Sequence, residues 1–117
     1  MTLEHMVFVG FNRWVAALDR RTGDVLWKWK APQGTGFVSL LLDGAQLFVA
    51  VQGYIYSLDA ATGLLRWSNP MKGFGTGVTS FATTRGQTSY TLLGEAHARE
   101  QAARSAAAGA GAAGASG

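Results

Sequence analysis

The chain repeats itself. Set against its own sequence at an offset of 40 residues, Val7-Phe8-Val9-Gly10 lies over Leu47-Phe48-Val49-Ala50, and Ala17 to Gly23 lies over Ser57 to Gly63, so that Trp27 falls on Trp67. The offset then grows, with Gly34-Thr35-Gly36 matching Gly75-Thr76-Gly77 at 41 and Asp43-Gly44 matching Arg85-Gly86 at 42, as small loop insertions produce. A period near 40 residues belongs to folds in which each unit is one small element that buries its apolar faces only against a copy of itself.

Each unit reads as strands, because β-branched, aromatic and other apolar residues come in short runs broken by turn residues. The runs Val7 to Phe11, Trp14 to Leu18, Val25 to Trp29 and Phe37 to Leu42 are followed by Leu47 to Val51, Tyr54 to Leu58, Leu64 to Trp67 and Val78 to Phe81. Several are apolar at successive positions, Leu47-Phe48-Val49-Ala50-Val51 among them, which predicts sheets covered on both faces. Lys28 and Lys30 interleave with Trp27 and Trp29, so that strand is expected outermost, where charge meets water and discourages edge pairing.

Between the second and third strand of each unit stands the pattern AxDxxTGxxxW: Ala17, Asp19, Thr22, Gly23 and Trp27, then Asp59, Thr62, Gly63 and Trp67 with Ser57 in place of Ala. The Asp carboxylates are suited to accept hydrogen bonds from amides two or three residues on, the Thr hydroxyls to support the same turn, and the Gly residues to supply positive φ. The Trp, four residues past the Gly, offers a large flat surface for a seam between sheets. An Asp recurring at the same turn of each repeat reads as a cap rather than as a general acid or base. The paired glycines of Gly34-Thr35-Gly36 and Gly73 to Gly77 run into neither Gly-Lys-Ser/Thr nor a helix, and read as loop geometry rather than a phosphate cradle.

These residues resemble the tryptophan-docking motif of the quinoprotein alcohol dehydrogenase-like, or PQQ-like, β-propeller repeat, over about residues 6 to 86. The resemblance implies a ring of blades, commonly eight. It is shared by quinoprotein dehydrogenases, an outer-membrane assembly lipoprotein and sensor domains of membrane kinases, so it does not by itself choose a function. The dehydrogenases hold PQQ and calcium through carboxylates and an Asn from several blades, with a catalytic Asp and often a vicinal disulfide. Here there is no Cys, and the acids outside the repeat turns and before the tail are Glu4, Asp24 and Asp43.

Composition closes other routes. Ten Lys and Arg against seven Asp and Glu give a net charge of +3. The basic side chains Arg13, Arg20, Arg21, Lys28, Lys30, Arg66, Lys72 and Arg85 are scattered, so they read as solvated surface and not as a nucleic-acid stripe. His5 and His97 stand alone in flanking segments and predict no metal site. No apolar run approaches the ~18 to 20 residues of a membrane-spanning helix, and Met1 to His5 lacks the features of a secretory signal, which predicts a soluble, cytoplasmic protein.

The expected fold is all-β. Two four-stranded β-propeller blades, repeats at about 6–44 and 45–86, lie within a segment 1–94, and an Ala/Gly-rich tail at 95–117 is helical and then flexible. With strands lettered A to D outward from the ring axis, the chain runs B to D, then A to D, then A again at about residues 77–83. Two blades leave terminal faces bare. The expected function is therefore a non-catalytic repeat scaffold or protein-interaction module that completes a ring with copies of itself: four chains for eight blades, or three for six. No catalytic residue and no cofactor is assigned. The alternative is a fragment or relative of a PQQ-dependent dehydrogenase binding PQQ with calcium near the ring axis.

Overall fold

The computed structural model describes residues 2–87, so the expected tail helix at 95–117 lies outside the described residues. Leu3–His5 form a 3-10 turn, and nine strands follow: β1 (Met6–Phe11), β2 (Trp14–Asp19), β3 (Val25–Lys30), β4 (Val38–Asp43), β5 (Gln46–Val51), β6 (Tyr54–Asp59), β7 (Leu65–Asn69), β8 (Ala82–Thr83) and β9 (Gly86–Gln87). They make antiparallel meanders: a three-stranded sheet β1-β2-β3, a four-stranded sheet β4-β5-β6-β7 and a hairpin β8-β9. The all-β expectation holds. Among the described residues, no helix is long and apolar enough to cross a membrane.

Two tight turns set the register of the long hairpins. Asn12 and Arg13 take φ of 50° and 74°, and Gln52 and Gly53 take 52° and 89°, the paired positive φ that suits two-residue loops to the right-handed twist of the flanking strands. In both sheets the pairing of the last two strands slips by one residue, between Ala17 and Leu18 and between Ser57 and Leu58. The repeat is thus kept down to its bulge.

The first sheet has three strands rather than the four of a full blade, as the B-to-D run of the first repeat predicts, and Leu3–His5 before it form the 3-10 turn. One expectation needs correction. The inner strand expected from Val78 to Phe81 is confined to Ala82–Thr83. The segment before it is anchored differently, with the Ser39 hydroxyl donating to the Thr79 carbonyl at 2.9 Å.

The core lies between the two larger sheets. Leu47, Val49, Val51, Tyr56 and Leu58 of the second sheet are buried with Val15 of the first, and Phe8, Trp27 and Trp29 pack against them. The sheets approach so closely that a Cβ on Gly10 would come within 2.6 Å of Val38 Cγ1. Alternation along the strands therefore puts Phe8, Ala17 and Trp27 on the inner face of the first sheet and Val7, Phe11 and Trp14 on its outer face.

Candidate functional site

The two Asp-x-x-Thr-Gly turns have the same hydrogen bonds. In the first, Asp19 Oδ1 accepts from the amides of Arg21 at 2.8 Å and Thr22 at 3.3 Å, and Thr22 Oγ1 accepts from Asp24 N at 3.2 Å. In the second, Asp59 Oδ1 accepts from Ala61 N at 3.0 Å and Thr62 N at 3.2 Å, and Thr62 Oγ1 accepts from Leu64 N at 3.2 Å. Gly23 N and Gly63 N donate to the Asp19 and Asp59 carbonyls at 2.8 and 2.7 Å. Each side-chain oxygen meets a loop amide that has no strand partner, which is why the loop holds one shape in both repeats.

What the turns touch differs. The Trp27 indole, in the first sheet, lies over the second turn: its Nε1 donates to the Ala60 carbonyl at 2.9 Å, and a Cβ on Gly63 would come within 2.5 Å of its ring. Phe8 supports the ring from behind at 6.1 Å, tilted by 44°, and buried Ala17 lies opposite it across the strand pair. The site residues Ala17, Trp27, Asp59, Thr62 and Gly63 are thus brought together into one junction between sheets. Asp19, Thr22 and Gly23 form the corresponding turn of the first sheet, and among the described residues a Cβ on Gly23 would meet nothing within 4 Å. Beside that open turn lies a cleft of about 570 Å³, lined among the described residues by His5, Asp19, Arg20 and Arg21. Trp67 stands on the far face of the second sheet, 44% exposed, 6.2 Å from Phe48 and tilted by 47°, so it repeats the pose of Trp27 with no turn beneath it among the described residues.

Several side chains read as solvated surface prove to be structural. Arg13 Nη2 donates to the carbonyls of Ala31 at 2.7 Å and Pro32 at 3.1 Å, fastening the first hairpin turn to the connection between sheets. Arg85 forms an ion pair with Asp43 and ties the β8-β9 hairpin to β4. Lys28 and Lys30 hold their ammonium groups 5.8 and 5.5 Å from the Trp14 ring centroid. Tyr56 OH accepts from Gln33 N at 3.2 Å and donates to Gln33 O at 3.0 Å, while its ring meets Trp29 edge-on. Burial pushes its ionisation above the usual tyrosine range.

Arg66 donates to Asp59 Oδ2 at 3.0 Å and, with the Ala61 and Thr62 amides, holds that carboxyl below the ordinary carboxylate range. The first turn lacks this pair, since Leu26 occupies the position corresponding to Arg66. A carboxyl whose folded pKa is depressed stabilises the fold above its unfolded value, near pH 4, and loses that contribution as pH falls through the folded value. Arg66→Ala is therefore expected to lower the urea midpoint at pH 7 slightly and to leave it unchanged at pH 2, which paired denaturation curves at the two pH values check.

Among the described residues, no group of three or more His, Cys, Asp or Glu is placed to hold a metal ion. Asp19 and Asp59 both spend a carboxylate oxygen on the amides of their own loops. The chemistry of the site is adhesive: a flat aromatic donor on one sheet and a capped, glycine-floored turn on the next. A comparison with known families matches residues 12–107 to the family described as outer membrane protein assembly factor BamB, a PQQ-type repeat. No curated protein matches the chain significantly.

Proposed function

Because the chain belongs to the PQQ-like repeat family, we propose that it is a non-catalytic β-propeller scaffold for protein contacts, and that copies of it complete the ring. One observation carries this reading. Leu47, Val51 and Tyr54 face the first sheet, and Leu47 and Val51 are 1% and 0% exposed. Their counterparts at an offset of 40 on the first sheet's outer face, Val7, Phe11 and Trp14, are 41%, 65% and 36% exposed. The same kind of surface is covered in one repeat and bare in the other.

Apolar area of that extent on a repeat unit marks a place for a like sheet. The second sheet presents Phe48 and Trp67, the counterparts of Phe8 and Trp27, on its far face. The two end surfaces are complementary rather than alike, so contact between copies is head-to-tail and closes when the rotation fits a ring. Strand β8 would then stand beside β1 of the next copy as β4 stands beside β5, giving that sheet its fourth strand. Its present partner β9 pairs with it at two positions among the described residues, and that pairing would have to be exchanged. The description of the matched family, an assembly factor for outer membrane proteins, accords with work done through protein contacts.

Sedimentation equilibrium of the purified chain tests the reading. A ring of eight blades gives four times the chain mass of 12.3 kDa, and one of six gives three times. A folded monomer at every concentration would remove it.

A further inference from the structure

We infer that Phe74 of one copy inserts over Ala16 on the outer face of the next copy's first sheet, and there takes the place that Tyr56 holds in the internal junction. The inference rests on the head-to-tail reading above and deepens it by naming the pair of residues that fits one end of the chain to the other.

Inside the chain, Tyr56 holds the connection between the two larger sheets. Its hydroxyl accepts from Gln33 N at 3.2 Å and donates to Gln33 O at 3.0 Å, and its ring meets Trp29 edge-on at 4.9 Å. At an offset of 40, Tyr56 falls on Ala16 and Trp29 on Asn69; at 41, the offset of Gly34-Thr35-Gly36, Gln33 falls on Phe74. The ring has changed sides. The internal seam sets a Tyr on the sheet against a Gln on the connection, whereas the chain ends carry an Ala on the sheet and a Phe on the connection. Close packing across a seam requires that bulk lost on one side return on the other. The hydroxyl is not needed there, because Phe74 N already donates to Met71 O at 3.1 Å, in a loop whose Asn69 Oδ1 accepts from Met71 N at 2.8 Å. Phe74 is 78% exposed. Ala16 is half-buried on the same outer face as Phe11 and Trp14, between Val9 and Lys28 in the strand register, where its short side chain leaves a notch. The polar contact next to this pair keeps its residue types. Gln52 Oε1 accepts from Thr35 N at 3.1 Å and Thr35 Oγ1 at 3.2 Å, and the counterparts at the ends are Asn12 and Thr76, with φ of 50° at Asn12 against 52° at Gln52.

Sedimentation velocity of the full-length chain, with Phe74→Gln, Ala16→Tyr and the double variant beside the wild type, tests this. The wild type is expected to self-associate. Phe74→Gln removes the ring and Ala16→Tyr fills the notch, so each alone should weaken association by roughly 30-fold, the loss typical of a central anchor. The double variant rebuilds the Tyr-against-Gln pair of the internal seam. It should associate roughly 10-fold more tightly than either single variant, a coupling that residues in contact show and distant ones do not. Circular dichroism checks that each variant keeps the wild-type sheet signal. Phe74 lies in an exposed loop, so Phe74→Gln decides the question by itself where Ala16→Tyr alters that signal. A Phe74→Gln chain that associates as the wild type does overturns the contact and leaves head-to-tail assembly standing. Single variants that both weaken association, with a double variant no tighter than either, overturn the pairing of these two residues. A wild type that is monomeric at all concentrations overturns the assembly reading, and the contact with it.

Discussion

Trp27→Ala is expected to loosen the two larger sheets from each other and to lower stability by about 3 kcal/mol, the low end of what truncating a large aromatic costs because the indole is only partly buried. Three interactions vanish together: the ring's contact with the second turn, the Nε1 bond to Ala60 O and the support shared with Phe8. Against the 5 to 15 kcal/mol of a typical domain, that is a large fraction. Trp27→Phe keeps an aromatic ring over Gly63 and removes the indole donor, for a loss nearer to about 1 kcal/mol. Urea denaturation followed by circular dichroism separates the two. Equal losses for both variants would mean that the hydrogen bond, not the covering of the turn, holds the junction.

Gly63→Ala carries the second large effect. The residue has φ of 76°, and a Cβ there would stand 2.5 Å from Cε3 and 2.6 Å from Cδ2 of Trp27. Backbone strain of about 1 kcal/mol adds to crowding of ~1 to 3 kcal/mol in a site where neither the strand nor the ring gives way freely. The crowding depends on the indole. In a Trp27→Ala background, Gly63→Ala should therefore cost only about 1 kcal/mol, so the pair is strongly non-additive in a double-mutant cycle. Additive losses would show that the turn and the ring do not share the same space.

The local pattern carried a great deal of the fold. The runs from Val7 to Phe11 and from Leu47 to Val51 are strands within one residue at each end, because turn residues bound them sharply. The Asp-x-x-Thr-Gly loops were equally legible, since their bonds span only two or three residues. What stayed hidden depends on distant partners. Arg13 looks like any surface arginine until the connection after β3 returns to bring Ala31 and Pro32 beneath it. Asp43 and Arg85 are repeat equivalents, but that two equivalent turns meet across neighbouring sheets with opposite charge follows only from stacking. Tyr56 gives no local sign that its hydroxyl pins Gln33. The apolar run Val78 to Phe81 has strand composition, yet β8 is confined to Ala82–Thr83 because the place of that run beside the second sheet is fixed by the bond from Ser39.

Hydroxyl-radical footprinting across a dilution series puts the bare face of the first sheet most directly to the test. If like sheets from other copies cover it, Phe11 and Trp14 become protected as concentration rises, and Trp67 becomes protected over the same range, while Tyr56 stays protected throughout. If Phe11 and Trp14 react fully at every concentration, no second copy covers that face, and a scaffold completed by self-assembly is contradicted.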